Sequence, residues 1–431
     1  VYPVKVDRVD EKGHNVEVAS IAYFDFDGMV DVRVISNKER VNSVRVRPLS
    51  YKITPDCVGD TVTFSLSRPR NLSVEVNGDI FHNLHLFANP IDKFRPSDKE
   101  IQRALKKKKG SNLIYFGPGV HNLPNDTLFV PSGTTVYIDG GARVYGNIFT
   151  EGAHDVNIFG RGEVHPDGRG AGVWVRRSKN VRIDGIVVSQ LPIGQCDSVE
   201  LTNVKSISYY GWGDGMDVFS SSNVILDGVF CRNSDDCAAV YASTQGFKGG
   251  SNNVLVKNAT LWADVAHPIN IGGHGDPNGM DTVQNVTFRN IDILDQAEKQ
   301  IDYQGCLAIN PGDNTLVRNI TFENIRIEDF RNGQLVNFRI SFNPKYCVST
   351  GRGIQNVLVK DVTYNGSGEN LSIIAGYDEN HKISGIRFVN LVVNGRKITD
   401  DMPGKPKWYK TGDMARIFVG EHTESVTFEK K

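Results

Sequence analysis

The sequence has no apolar run approaching the about 18 residues that a membrane-spanning helix needs, so helical membrane anchoring within the chain is not expected. It also lacks an excess of charge. Lys and Arg number 49 against 50 Asp and Glu, a net charge of −1, which argues against nucleic acid or an anionic membrane as the main partner. The one basic run, Lys106 to Lys109, ends an expected helix, where cations meet the negative end of the helix dipole, and reads as a solvated helix end. Cysteine is scarce: Cys57, Cys196, Cys231, Cys237, Cys306 and Cys347 are too few for a disulfide framework in 431 residues. No CxxC or Cys/His ligand spacing points to zinc. Cys231 and Cys237 read as buried small hydrophobes, the alternative being a bridge between them. No initiator Met or signal peptide stands at Val1, which reads as following a processing or cloning cut. Glycine is plentiful, 43 of 431 residues, above the usual ~7% and suited to a turn-rich all-β chain.

Residues 1–90 alternate apolar and polar positions in short runs such as VEVASIAYFDF, VDVRVI, TVTFSLS and LSVEVNG, separated by Gly, Asp, Pro and Asn. That pattern predicts a small antiparallel β-sandwich. Residues 91–110 read as a linker and a capping helix: Ser97 and Glu100 form a capping box opening a helix to about Lys107. Such a helix covers the first coil of a solenoid against edge pairing.

From residue 111 to 431 short strands recur, each introduced by Asn or another polar residue and then Val or Ile, as in KNVRIDG, SNVILDG, NNVLVKN, QNVTFRN and RNITFEN. The lead apolar residues are Val136, Val156, Val181, Val204, Val224, Val254, Val286, Ile320, Val357 and Ile386. Their drifting spacing suits one solenoid coil per unit with loops of variable length. The fold class expected is all-β: a right-handed parallel β-helix preceded by a small sandwich. The Asn at each turn is placed to form ladders of stacked amides. Seven Asn-x-Ser/Thr sequons occur, several inside this repeat, so they say little about export.

Gly211–Tyr241 carries the chemistry. Asp217 precedes Asp235 by 18 residues, about one short coil, and neighbouring coils lie ~4.8 Å apart. Like-charged carboxylates held that close push one pKa up, as acid–base work requires. The bland alternative is a solvated Asp235–Asp236 turn with Asp217 as a turn cap. The longer units after Asp236 carry polar and aromatic insertions. Loops clustered on one side of a solenoid build a binding face, and Trp212, Tyr241, Trp262 and Tyr303 are available there to stack on sugar rings.

The series GMD (215–217), SDDC (234–237) and AHPINIGG (266–273) resembles glycoside hydrolase family 28, the polygalacturonases, and GRGEVHPDGRG (160–170) resembles that group's early Gly-rich turn. The chain also resembles family 49, the dextranases and isopullulanases, which share the fold, the Asp triad and an N-terminal sandwich. The resemblance implies an inverting glycosidase without cofactor or metal, acting outside the cytoplasm on an α-linked polysaccharide or oligosaccharide. It implies Asp235 as general acid, Asp217 and Asp236 as the pair activating water, and His267 as the hydrogen-bonding group that tunes them. Asp214 is a supporting carboxylate or a turn cap. Asn270, His274, Asp302 and Tyr303, with Trp212 and Tyr241, are the other candidate sugar contacts.

One departure bears on the sugar. Polygalacturonases carry an Arg-Ile-Lys that grips the uronate carboxylate. Here the Arg position is apolar and the Lys position is Asn310, while Arg339 falls one unit later. That favours a neutral, dextran-like glucan over a pectic chain or an α-galactoside. A lyase on the same fold would need a calcium-type acidic cluster with a matching base. A carbohydrate-binding scaffold would have no use for three aspartates and a histidine in this order.

Overall fold

The structure, a computed structural model, describes residues 1–37, 40–106, 110–165 and 170–431. Residues 107–109 of the basic run and 166–169 of the Gly-rich stretch lie outside them. The N-terminal part is a sandwich. A five-stranded sheet runs in the order Tyr2–Asp10, Gly13–Phe26, Leu84–Pro90, Arg70–Val76, Val44–Arg47, and a three-stranded sheet in the order Val30–Ile35, Thr61–Leu66, Asp56–Val58. Their shared core sets Phe26, Val46, Leu72, Val74 and Leu86 of one sheet against Val32, Val62, Phe64 and Leu66 of the other. Alternation along each strand supplies one apolar face, and burying the two faces on each other is what makes the layers pair.

The expected all-antiparallel pattern is corrected at one place: Gly13–Phe26 and Leu84–Pro90 run parallel. The chain visits the smaller sheet between them and returns to the middle of the larger one in the same direction. The stretch read as a linker is pinned to the solenoid, with Phe94 stacked on Phe159 at 4.2 Å and Arg95 paired with Asp139 at 2.7 Å. Helix α1 (Asp98–Leu105) opens on the expected capping box, in which the Glu100 carboxylate accepts the Ser97 N–H at 2.9 Å. It ends about one half-turn before the expected Lys107, and it packs beside Leu113–Phe116.

From Leu113 to Glu429 the chain winds into a parallel β-helix whose coils form one 30-stranded sheet. One row aligns Val156, Val181, Val199, Val224, Val254, Val286, Ile320, Val357, Ile386 and Val426. Val204 is therefore not a lead residue. Val199 takes the place, in a coil of only 18 residues after Val181, and Lys205–Ile207 belongs to the next row. Val136 pairs with Ile158 rather than Val156.

The Asn signal has a backbone cause. Asn180, Asn223, Asn253, Asn285, Asn319 and Asn356 all sit at φ of 55–57°, the left-handed conformation that Asn tolerates best among residues with a side chain. At that position in the short coil stands Ser198, with φ 60°, which hides the coil from a reading keyed on Asn. The amides do ladder: Asn253 donates to Asn223 at 2.7 Å, Asn319 to Asn285 at 3.2 Å and Asn356 to Asn319 at 3.3 Å.

The sandwich docks on the coils through Val4, Val6, Ile21 and Phe87 against Ile207 and Phe230, and through buried polar pairs. Arg161 reaches Asp25 at 2.9 Å, Lys205 Nζ reaches Asn89 Oδ1 at 2.5 Å, and Arg232 reaches Asn83 at 2.9 Å. Arg161, in the Gly-rich stretch, is thus a tie between the layers. Trp262, expected near sugar, is fully buried at this seam with the Arg232 guanidinium 4.0 Å from its ring centre. Cys231 and Cys237 are buried free thiols.

Candidate active site

Five short strands stacked coil on coil form the floor of the site: β1 (Met216–Phe219), β2 (Ala238–Tyr241), β3 (Ile269–Ile271), β4 (Leu307–Ile309) and β5 (Val336–Arg339). The register pairs Asp217 with Ala239, and Ala239 with Asn270. The coil step at β1–β2 is therefore 22 residues, not 18, and the position one coil before Asp236 is Asp214. The next coil step, 31 residues, carries Asp236 onto His267. Asp214, Asp236 and His267 thus stack in one column at the entrance to the strands, with Asp235 beside them. One carboxylate oxygen from each of Asp214, Asp235 and Asp236 lies within 4.8 Å of the others. Asp217 lies inside β1, buried, and its Oδ1 has no hydrogen-bond partner.

The turn before β1 is shaped to bring Asp214 in. The Gly215 N–H donates to the Asp236 carbonyl at 2.7 Å, and a side chain at Gly215 would strike the Cys237 carbonyl. Asn233 braces the same turn by donating to the Asp214 carbonyl at 3.1 Å and to the Ser206 and Ser208 hydroxyls at 3.0 Å. Trp212 closes the turn at φ 65°, an unusual conformation for a bulky residue and one that clusters at functional sites, and the residue is 62% exposed.

Asp236 is held on all sides. Its Oδ1 accepts the His267 N–H at 3.1 Å and lies 2.7 Å from His267 Nδ1, while its Oδ2 accepts Tyr241 OH at 2.5 Å and Asn270 Nδ2 at 2.8 Å. Burial alone would push this carboxyl up, but the His267 charge and these hydrogen bonds outweigh it, and its pKa falls below the ordinary 3.8. The neighbours go the other way. Burial first, then the charges of Asp217 and Asp236, lift Asp214 well above 3.8, and burial with Asp214 and Asp236 lifts Asp235 likewise. Asp217 is raised by burial and by Asp236 and Asp235. Asp236 is thus shifted opposite to its three neighbours, and the group titrates as a set. Among the described residues this is also the one cluster with the spacing to hold a metal ion.

The remaining candidates line the cleft over β2–β5. His274 packs edge-on to Tyr241 at 5.0 Å, and Tyr303 edge-on to His267 at 4.4 Å. Tyr241 is buried and bonded to Asp236, so it offers no ring face to a sugar. Asn310 donates to Asn337 Oδ1 at 3.3 Å and to the Arg339 carbonyl at 3.3 Å. Arg339 ends β5, yet its guanidinium reaches back one coil to stand 4.0 Å from Asp302, over the coil that carries Ala308 and Asn310. Its Nε is buried without a partner. Tyr346, absent from the sequence candidates, stacks on Tyr303 at 5.2 Å and carries Lys345 Nζ 4.8 Å above its ring. The insertion FRISFNPKYC was its only signal. Asn233 gave none, because nothing in the sequence pairs it with Asp214.

The fold and the site together define a parallel β-helix protein that gathers three aspartates and a histidine from adjacent coils. The chain belongs to the glycosyl hydrolases family 28, whose profile matches residues 173–402. It is 26% identical over 295 residues to a polygalacturonase of Juniperus ashei (61% of this chain, 54% of that protein). It is 26% identical over 311 residues to a probable endopolygalacturonase D of Emericella nidulans (64% and 55%). The chain spans about half the length of these curated relatives. In fold it is similar to Dex49A from Penicillium minioluteum (TM-score 0.60, 14% identity, 95% of this chain, 84% of that one). It is likewise similar to the family 28 exopolygalacturonase of Yersinia enterocolitica (TM-score 0.55, 12% identity, 86% of each).

Proposed function

We propose that the protein hydrolyses an α-linked glycosidic bond with inversion, with Asp235 as general acid and Asp214 and Asp236 as the pair that holds and activates water. The observation that carries this is the column of Asp214, Asp236 and His267 beside Asp235. Oxygens up to 4.8 Å apart can share one water through two hydrogen bonds of about 2.8 Å meeting at a bent angle. A proton-holding Asp235 is suited to protonate the departing oxygen, and Asp214, with its raised pKa, is the stronger proton acceptor of the pair. The C–O bond breaks as the water oxygen bonds to the sugar carbon, Asp235 gives its proton to the leaving oxygen, and Asp214 takes one from the water. His267 fixes the Asp236 charge through Nδ1 and keeps Nε2, which has no protein partner, for a substrate hydroxyl. In this reading Asp217 supports the floor and is not part of the water-holding pair.

The sugar we favour carries a carboxylate. The Arg339 guanidinium leans over the coil where the expected cations are missing, its Nε is unsatisfied, and the relatives are named for polygalacturonan. A neutral glucan is the second reading, favoured by Ala308 and Asn310 in place of cations and by the Asp302 carboxylate near Arg339. A reducing-sugar assay on polygalacturonate, dextran and pullulan, with NMR of the newly formed anomer, tests both. Release from polygalacturonate that falls about 10²-fold in kcat/KM for Arg339→Ala, in line with a lost buried charge contact, supports the uronate. Release from dextran alone supports the glucan, and retention of configuration overturns the inverting mechanism.

A further inference from the structure

Two walls of the cleft touch beside the acids. Trp212 stands before β1 and Tyr303 before β4, both on the side where the chain enters the floor strands, whereas Tyr346 follows β5 on the opposite side. β1 and β5 are four strand spacings apart, about 19 Å. Even so, the Tyr346 ring lies 6.3 Å from Trp212 and is stacked at 5.2 Å on Tyr303. The segment that carries Tyr346 folds back over earlier coils. The Val348 N–H donates to Asp313 at 2.8 Å, and the Cys347 thiol donates to the Gly273 carbonyl at 3.3 Å. An open groove would keep its two walls apart for the whole length of a bound chain. Here they meet through three aromatic rings, and one of them, Tyr303, packs edge-on to His267 at 4.4 Å beside the acids.

Resting on the hydrolase reading above, we infer that the protein acts at the end of a sugar chain and not within it. The Trp212–Tyr346–Tyr303 bridge is the specificity-determining element. A polymer cannot be laid through the cleft from the side without parting these rings, whereas a chain end can enter beneath them. The aromatic faces then pack against the terminal sugars, and each turnover releases a short product.

The test uses the full chain carrying Asp235→Asn, so that binding is read without turnover, mixed with short and long polygalacturonate and dextran in sedimentation velocity. End binding gives one protein per chain end at either length, whereas groove binding gives a number that grows with length and overturns the inference. Early products of the active protein supply the second measurement. A single short product is expected, and Tyr346→Ala, with an unchanged thermal midpoint, should convert it to a ladder of sizes. Long fragments in the first products of the unaltered protein overturn end action while leaving the hydrolase reading intact. A folded protein that binds none of these polymers overturns the hydrolase reading, and this inference falls with it.

Discussion

Replacing Asp214 and Asp217 one at a time by Asn separates the two carboxylates that flank Gly215. The stacked register puts Asp214, not Asp217, one coil from Asp236, with its oxygen within 4.8 Å of both Asp235 and Asp236. General-base catalysis is worth about 10²–10⁴ in rate, or about 3–5 kcal/mol of barrier. Asp214→Asn should therefore lower kcat by that factor, while Asp217→Asn should cost less than about tenfold, since it removes no water-holding group. Stability should move the other way. Two unit charges 4.8 Å apart repel by about 3 kcal/mol at an effective dielectric of about 20, an upper bound because the set shares protons. Asp214, Asp217 and Asp235 are all raised above 3.8, so the folded chain keeps protons that the unfolded chain releases. Their contribution to stability is full below pH 3.8 and is lost as pH climbs through the raised values. Each Asn variant should accordingly melt higher than the parent at neutral pH and lose that advantage in acid. Steady-state kinetics with thermal melts across pH reads both effects. If Asp217→Asn abolishes turnover while Asp214→Asn stays near the parent rate, the water-holding pair has been misassigned.

Tyr241→Phe removes a charge-assisted bond to Asp236 worth about 1.5–3 kcal/mol. The acid limb of the pH–rate profile should then move up by about one to two pH units; an unmoved limb would show that Asp236 does not govern it. Arg232→Ala removes the 2.8 Å partner of Asp264 in a fully buried site and leaves it Arg331 at 3.0 Å. It should destabilise the fold by about 1–3 kcal/mol, read as a lower melting temperature with kcat of the surviving fraction little changed. Treatment with EDTA should leave the rate unaltered, because the proposed acid–base mechanism routes no step through a cation; loss of activity restored by a divalent ion would assign the cluster to a metal.

The solenoid was legible because its signal is a backbone requirement. An Asn in the left-handed turn and an apolar residue after it recur whatever the loops do, so Val224, Val254 and Val286 stand out in the sequence itself. The same signal failed at Val199, where Ser198 takes the turn. The carboxylates were legible as a set but not as a geometry: an 18-residue step drew Asp217 to Asp235, whereas strand pairing requires 22. Spacing along a chain does not reveal how many residues a coil spends in its turn, and here that number decides which aspartate stacks on Asp236. Trp262 was misread for a related reason. Its loop points toward the binding face in sequence order, yet its own strand faces the sandwich, where Arg232 and Arg47 cover the indole.

That seam has a consequence for exchanging parts between relatives. Arg161, Lys205 and Arg232 belong to the coils, but Asp25, Asn89 and Asn83, which receive their hydrogen bonds, belong to the sandwich. Arg47 of the sandwich is bound in turn by Glu328, 281 residues further on. A chimera that imports a foreign sandwich would strand cations in a dry layer unless it also imports these acceptors. The two parts have to be transplanted as one piece.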